Sequence, residues 1–215
     1  MTSGPVIIVL AAGLGSRFQD AGYKLSQPLG ATSVLGATLV RAMGSRLPLV
    51  VITTRALVAE AARHVALRDI VVLEAAAGPV EGRGDLRAVN ARLGTGASIA
   101  AGVSARPNAG GWLVLPADMP LVTSATLRRV AGALRDHTIA YAQLHGRRGH
   151  PVAFNAELYS ELVTLQGDEG ARRLVSRYPA HPVEVDDPGV LVDVDTLADL
   201  ERVRELWART ETAPQ

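Results

Sequence analysis

The sequence alternates short apolar runs with stretches of helical periodicity, and this alternation limits the fold more than any other feature. Val6 to Ala12 is a continuous apolar run that ends at Gly13. Such a run is typical of a strand buried on both faces of a parallel sheet. Similar runs recur at residues 49–53, 70–73, 112–115 and 138–144. Because helical patterns separate these runs, we predict a single-domain three-layer α/β/α sandwich with a mostly parallel, Rossmann-like sheet.

The last third of the chain departs from this alternation. Two helical patterns follow each other, and two short strand patterns come next; the expected ranges are 156–165 and 170–178 for the helices, and 183–185 and 190–194 for the strands. A closing helix is expected near Thr196, which can pair with Asp199 as a capping box. We assign residues 1–209 to one domain and 210–215 to a disordered tail. The irregular stretch at 76–95 is predicted to be a mobile loop over the site.

The composition narrows the classes of partner. With 48% hydrophobic and 20% charged residues the chain is typical of a packed globular protein. No stretch approaches the ~20 apolar residues of a membrane helix, and the first residues carry no export signal, so a cytoplasmic protein is expected. The absence of cysteine excludes disulfides and thiolate metal sites. A net charge of +1 argues against a nucleic-acid surface, which leaves small molecules as the expected partners.

A glycine-rich loop follows the first predicted strand, at the sheet edge where α/β folds bind ligands. Gly13 and Gly15 can bring backbone N–H groups against phosphate, and Arg17 and Lys24 can neutralise a triphosphate. Lys24 is the only lysine among 22 Lys and Arg residues. A tight strand-to-helix turn explains the two glycines equally well. The loop is not a Walker motif, and Phe18 stands where a dinucleotide fingerprint has its third glycine.

Several motifs carry a resemblance to a known family. The run from Leu10 to Arg17, Leu-Ala-Ala-Gly-x-Gly-x-Arg, with a lysine downstream, resembles the loop of nucleotidyltransferases that include MobA-like enzymes and sugar-nucleotide pyrophosphorylases. Leu115–Pro120 resembles their metal-binding motif, and Gly94–Gly102 resembles their base-enclosing segment. Further motifs resemble the MocA-type molybdenum cofactor cytidylyltransferases; they lie at 148–152, 165–172 and 193–200. The spacer between Arg17 and Lys24 is longer than in that pattern.

The resemblance implies a nucleotide-diphospho-sugar transferase fold and a nucleotidyl transfer reaction. The expected reaction moves CMP from CTP to the terminal phosphate of molybdopterin and releases pyrophosphate. Such a displacement needs positioning and charge neutralisation more than a base. Mg²⁺ is the expected cofactor, with Mn²⁺ as its substitute, because hard cations prefer oxygen ligands. The expected partners are the triphosphate, a molybdopterin-type acceptor and a recipient molybdoenzyme, with no nucleic acid and no membrane.

The resemblance also assigns roles to individual residues. The expected catalytic residues are Arg17, Lys24 and Asp118. Asp118 and Asp195 are the expected metal ligands, and Asp193 competes with Asp195 for the second position. The expected nucleotide-binding residues are Leu10, Ala11, Ala12, Gly13, Gly15, Ser16, Arg17, Lys24, Gly96, Ser98 and Asp118. The expected acceptor-binding residues are Arg148, Gly149, His150, Pro151 and Asp168.

Simpler roles remain open for the same residues. Asp118 can start a turn before Pro120, and Asp195 can interact with the dipole of the closing helix. His150 can be a hydrogen-bonded structural histidine, and Asp168 can be the N-cap of the helix that follows.

Other functions also compete with cytidylyl transfer. One is a related nucleotidyltransferase that uses GTP or a sugar 1-phosphate. Another is a dinucleotide-binding oxidoreductase, for which Arg55 after the second strand can meet a 2′-phosphate. A third is a non-catalytic protein that retains the fold and assists insertion of a cofactor.

Overall fold

The computed structural model describes residues 4–13, 23–73, 94–167 and 170–212, with the backbone alone at 210–212. The expected site residues Gly15, Ser16, Arg17 and Asp168 lie outside the described residues. So do the predicted mobile loop up to residue 93 and the last three residues of the predicted tail.

Nine strands are present in the described residues. They are β1 (Val6–Ala11), β2 (Pro28–Leu29), β3 (Thr32–Ser33), β4 (Leu49–Thr53), β5 (Ile70–Val72), β6 (Gly111–Pro116), β7 (Ile139–Leu144), β8 (Arg147–Asn155) and β9 (Ala180–Glu184). Seven of them form one sheet in the order β5-β4-β1-β6-β8-β7-β9, and β2 and β3 form a separate hairpin. Every strand of the large sheet is parallel to the others except β8, which is antiparallel to both of its neighbours.

The helices cover both faces of this sheet. They are α1 (Val34–Gly44), α2 (Val58–Ala61), α3 (Thr95–Ala105), α4 (Ser124–Ala133), α5 (Tyr159–Leu162), α6 (Arg172–Arg177) and α7 (Leu197–Thr212). Ile7 and Val9 of β1 pack in one core with α1, α4 and α7. Val6 and Ile8 pack in a second core with α3, α5 and α6. Alternate residues of β1 thus serve opposite layers, which confirms the predicted three-layer α/β/α sandwich.

The parallel strands bring the ends of distant segments together. In β1, Val9 is paired with Val51 of β4 on one side and with Leu115 of β6 on the other. The carboxyl ends of these strands therefore meet at the same edge. Gly13 follows β1 at that edge, and Asp118 follows β6.

Strand β8 is the main difference from the sequence prediction, which placed no strand between residues 144 and 183. The strand has nine residues, and Val152 to Asn155 pair with β6. Arg147 and Arg148 pair only with the end of β7, beyond a register shift between Tyr141 and Gln143. The polar first half of β8 therefore extends past the buried part of the sheet, where its sequence has no apolar pattern that would predict a strand.

The strand predicted at residues 190–194 is wrong. A 3₁₀ helix, Pro188–Leu191, occupies the start of this segment, with the Asp187 side chain accepting from Gly189 N and Pro188 in the first turn. Irregular backbone continues to Asp195. The apolar residues of this segment are buried against the core as in a strand, but the cap and the proline direct the backbone into a helical turn.

The bounds of other elements also differ from the prediction. The two late helices are shorter than predicted. The capping pair is confirmed, because Thr196 N donates to Asp199 Oδ2 at 2.8 Å and Asp199 N donates to Thr196 Oγ1 at 3.2 Å. The last helix extends to Thr212, three residues past the predicted domain boundary. Within the part of the chain that the structure describes, no helix combines the length and apolar character needed to cross a bilayer.

Candidate active site

Lys24 lies where the two expected metal ligands meet. Its Nζ is 2.6 Å from Asp118 Oδ2 and 3.0 Å from Asp195 Oδ1. The side chains of Lys24 and Asp118 are only 14% and 19% exposed, whereas Asp195 is 37% exposed. Burial alone lowers the pKa of Lys24, but the charges and hydrogen bonds of Asp118 and Asp195 outweigh burial, so the pKa is raised. The Lys24 ammonium is therefore a positive charge shared by this carboxylate pair, Asp118 and Asp195.

Backbone hydrogen bonds fix the position of Asp118. Ala117 N donates to Leu10 O at the end of β1 (3.0 Å), and Thr38 Oγ1 of α1 donates to Ala117 O (2.8 Å). On the other side, Val194 N donates to Asp118 O (3.0 Å), which holds the segment that carries Asp195. Four parts of the chain that are far apart in sequence thus position the carboxylate pair.

Asp193 is a third carboxylate near this pair. Burial raises its pKa, and the negative charges of Asp195 and Asp118 raise it further, while Lys24 acts in the opposite direction. Asp195 is the residue that shares Lys24 with Asp118, whereas Asp193 lines the adjoining cleft. The accumulation of negative charge means that a cation at this point stabilises all three carboxylates.

A cleft of about 910 Å³ opens beside Asp118. Its ionisable lining contains Arg147, Arg148 and Arg172 together with His150 and Asp193. The apolar side chains of the lining are Ile99, Val114, Met119, Val152, Phe154, Val175, Val190 and Leu191. The cleft can therefore take a ligand with both an anionic group and an apolar body.

The surroundings of His150 lower its pKa and so favour the neutral imidazole. Burial lowers its pKa, and the positive charges of Arg148 and Arg172 lower it further, against the opposing effect of Asp118. Arg148 also stacks its guanidinium over the Tyr141 ring, 4.5 Å from the centroid. A neutral imidazole can donate one hydrogen bond and accept another, which suits orientation of a phosphate more than charge neutralisation.

Gly149 allows the cleft to form at this point. A Cβ at this position would lie 2.2 Å from Val190 O. The 3₁₀ helix at Pro188–Leu191 therefore approaches β8 more closely than any larger residue would permit.

The expected nucleotide-binding residues differ in their exposure in the structure. Ala11 and Ala12 are buried at the end of β1, so only their backbone can meet a ligand, while Gly13 is exposed. Gly96 and Ser98 do not lie in the described lining of the cleft. Gly96 N donates to Gly167 O at 2.8 Å, and Ser98 is 2% exposed.

The other side of the same helix faces the cleft. Thr95 and Ile99 of α3 line the cleft, because a helix turns successive side chains by about 100°. Among the expected acceptor-binding residues, Arg148, Gly149 and His150 line the cleft, but Pro151 is buried within β8 and is outside the described lining.

Sequence reasoning missed two residues that shape the site. Arg172 is the first residue of α6 and lines the cleft. From the sequence it was recognised only as part of the motif at residues 165–172. Asp187 is 5% exposed and bonds to the segment after Asp118. The pair Asp187-Pro188 was the available signal, because Asp followed by Pro is typical of a capped helical turn.

The residues present offer a divalent metal ion two carboxylate ligands, Asp118 and Asp195. In the described ranges, no group of three or more His, Asp or Glu residues could hold a metal. The carboxylate pair already shares one cation, the Lys24 ammonium. Mg²⁺ is commonly bound by one or two carboxylates together with water and substrate phosphates. Two oxygen ligands that attract a cation meet this requirement.

Comparison with known proteins now decides the family. A family model described as the MobA-like NTP transferase domain matches residues 7–183. The chain belongs to this family. The matched range includes β1, Lys24, Asp118 and the cleft residues of β8, so the site lies mainly within the part that defines the family. The protein is therefore a nucleotidyltransferase, which confirms the general part of the sequence prediction.

Individual relatives agree over almost the full chain. The Purine catabolism protein PucB of Bacillus subtilis (strain 168) is 31% identical over 203 residues, covering 92% of this chain and 94% of the relative. The crystal structure of Rv0371c from Mycobacterium tuberculosis H37Rv is 32% identical with a TM-score of 0.74, covering 94% of this chain and 99% of that one. A complex of Rv0371c with manganese is 31% identical with a TM-score of 0.71, covering 95% and 100%.

Proposed function

We propose that this nucleotidyltransferase transfers a nucleoside monophosphate from a triphosphate to the phosphate of a small acceptor and releases pyrophosphate. The observation that carries the proposal is the Lys24 ammonium held between Asp118 and Asp195 at the end of a cleft lined by Arg148 and Arg172. Positive charge is thus available on both sides of the point where two anionic substrates would react.

The acceptor phosphate is already an anion, so the chain needs no general base to activate it. Its own residues have to bring two anions together and stabilise the charge that develops on the leaving pyrophosphate. The backbone after β1 lies beside Asp118, because Ala117 N bonds to Leu10 O. We assign the triphosphate to this edge and the acceptor to the cleft. Neutral His150 then orients the acceptor phosphate, and Arg148 and Arg172 balance its charge.

The carboxylate pair would hold Mg²⁺, with Mn²⁺ as its substitute, and the metal would supply charge neutralisation between the two substrates. The manganese complex of Rv0371c, a relative at 31% identity, supports this assignment. Lys24 has to leave at least one of the carboxylates when a divalent cation binds. Its ammonium is then free to contact the triphosphate, which we propose as its role during turnover.

For the substrates, we propose CTP and a molybdopterin-type acceptor, with the product passing to a molybdoenzyme in the cytoplasm. Two observations support this choice. The motifs that resemble MocA-type enzymes include Gly149 and His150, which line the cleft. The cleft also combines an apolar wall, formed by residues such as Phe154 and Val175, with cationic groups, which suits a fused-ring acceptor that carries a phosphate. GTP and sugar 1-phosphates remain the competing substrates.

The test is a nucleotide panel. Purified protein is incubated with Mg²⁺, molybdopterin and each of ATP, CTP, GTP and UTP, and pyrophosphate release is measured. We expect release with CTP. Release with GTP alone would mean that the protein transfers GMP instead of CMP. Release with a sugar 1-phosphate in place of molybdopterin would mean that the acceptor is a sugar phosphate. No release with any combination would contradict nucleotidyl transfer itself.

Two variants link the reaction to the site. Asp118→Asn should lower the rate by about 10²–10³-fold, the scale for loss of one electrostatic contact in an active site. The control, Asp69→Asn, changes a carboxylate that pairs with Arg106 at 2.7 Å beside the edge strand β5, and it should retain full activity.

A further inference from the structure

Asp187 is a buried carboxylate with an unusually complete set of hydrogen bonds. It is 5% exposed. Its Oδ2 accepts from Thr123 N (2.9 Å), Thr123 Oγ1 (2.8 Å) and Thr126 Oγ1 (2.5 Å), and its Oδ1 accepts from Gly189 N (3.0 Å). Four donors are what a buried carboxylate without a cationic partner needs, because a buried charge is costly unless it is fully hydrogen-bonded.

These bonds join the two segments that carry the carboxylate pair. Thr123 ends the segment that starts at Asp118, and Gly189 belongs to the segment that leads to Asp195. The segments touch at two further points. A Cβ at Gly189 would lie 2.4 Å from the backbone of Leu121, and Val194 N donates to Asp118 O at 3.0 Å. Asp187 thus holds the two segments together at one end of their contact, and the carboxylate pair lies at the other end.

This arrangement matters because Asp195 does not lie on a regular strand or helix. Residues 192–195 are irregular, so no ladder of sheet hydrogen bonds fixes the distance between Asp195 and Asp118. The described contacts between the two segments have to do so instead. Of these, the Asp187 bonds supply the polar side-chain contribution, beside the apolar packing of Val190 and Val194 in the core, since the contacts at Gly189 and Val194 are made by backbone atoms.

We propose that Asp187 is a positioning residue that sets the separation of Asp118 and Asp195 and thereby the affinity of the pair for a divalent cation. It is not among the described residues that line the cleft. The inference rests on the proposed function in one respect, namely that the carboxylate pair binds the metal. Substitution of a residue that holds metal ligands in place typically changes the metal affinity by 10–100-fold. Asp187 acts through the two segments and not on the ligands themselves, so we expect a change near the lower limit of this range.

The experiment measures Mn²⁺ binding directly, by electron paramagnetic resonance of free Mn²⁺ in titrations of the nucleotide-free protein. Asp187→Asn retains the shape of the side chain but replaces one acceptor oxygen by an N–H₂ donor. We expect its dissociation constant for Mn²⁺ to rise about tenfold. In turnover, the Mn²⁺ concentration needed for half-maximal rate should rise by the same factor, while kcat at saturating Mn²⁺ stays near that of the unmodified protein.

Three further variants separate positioning from stability. Thr126→Val removes the 2.5 Å donor and should weaken Mn²⁺ binding in the same direction, whereas Thr126→Ser keeps a hydroxyl and should restore it. Asp69→Asn, distant from the pair, should lower the melting temperature at most and leave Mn²⁺ affinity unchanged. An Asp187→Asn protein that is less stable but binds Mn²⁺ as tightly as Asp69→Asn would overturn the proposal, and so would an unmodified protein that binds no Mn²⁺.

The outcome is independent of the substrates. If the unmodified protein binds Mn²⁺ and Asp187→Asn binds it more weakly, the positioning role stands even where no triphosphate in the panel releases pyrophosphate. In that case only the proposed function fails.

Discussion

Under the proposed function, Lys24 and a divalent metal ion would compete for the same two carboxylates, and this competition can be measured. The Lys24 ammonium contacts both Asp118 and Asp195, so a metal can bind the pair only after one of these contacts opens. Lys24→Met removes the charge and keeps an unbranched side chain of similar length. The variant should therefore bind Mn²⁺ more tightly than the unmodified protein in the absence of nucleotide, although it should turn over more slowly.

The size of the gain follows from the contact that has to break. A hydrogen bond to a charged group contributes about 1.5–3 kcal/mol net. Asp195 is 37% exposed, so solvent screens its contact and we count only the contact to Asp118. Loss of that competing contact corresponds to a dissociation constant about 10–150-fold lower, since 1.4 kcal/mol is a factor of ten.

The assay is a titration of nucleotide-free protein with Mn²⁺ at pH 7.5, read by electron paramagnetic resonance. Lys24→Arg is the matched control because it retains a positive charge and should show no gain in Mn²⁺ affinity. Pyrophosphate release is measured in parallel and should fall by at least about 100-fold in Lys24→Met, because the triphosphate loses a cation at the reacting centre. A Lys24→Met protein that binds Mn²⁺ no more tightly than the unmodified one would refute the competition.

Three other predictions concern the same site. Asp195→Asn should weaken Mn²⁺ binding about tenfold or more, whereas Asp193→Asn should change it much less; the reverse order in the same titration would make Asp193 the second ligand. Gly149→Ala should lower the melting temperature by several degrees, because its Cβ would lie 2.2 Å from Val190 O, and unchanged thermal unfolding would disprove that close contact. The pKa of His150 is lowered in the folded protein, so the unfolded chain takes up this proton first as the pH falls below 6.5, and the unfolding free energy should decrease from that pH downward. His150→Gln should flatten this decrease in denaturant titrations between pH 5 and 7. An identical slope of unfolding free energy against pH in both proteins would argue against this role of His150.

The residues that meet at Lys24 could be selected from the sequence because their signals are local. A buried strand that ends in glycine, an Asp directly after another buried strand, and a single lysine in an arginine-rich chain each show in a few consecutive residues. Parallel strands then bring Gly13 and Asp118 to one edge by geometry alone. Asp195 required the resemblance as well, since a residue before a helix has a simple structural role too.

The parts that sequence reasoning missed depend on contacts between distant segments. Strand β8 has no apolar pattern in its first half, because Arg147 and Arg148 extend past β6. Ile99 rather than Ser98 lines the cleft because of how α3 is rotated against the sheet, which the hydrophobic pattern alone does not determine. Asp187 looks like an ordinary cap until Thr123 and Thr126, more than 60 residues earlier, are seen to bond to it.

The identity of residue 24 follows from the same competition. The chain uses arginine at every basic position except this one, so Lys24 needs a physical reason. An ammonium is a compact charge on a flexible stem that can leave two carboxylates and reach a phosphate, whereas a planar guanidinium forms two parallel bonds to a carboxylate and gives them up less readily. Under the proposed function, residue 24 would have to yield the carboxylate pair to a metal and then bind the triphosphate, and lysine suits both steps better than arginine. Lys24→Arg should accordingly leave Mn²⁺ binding no tighter and still lower turnover, a combination that charge alone would not produce.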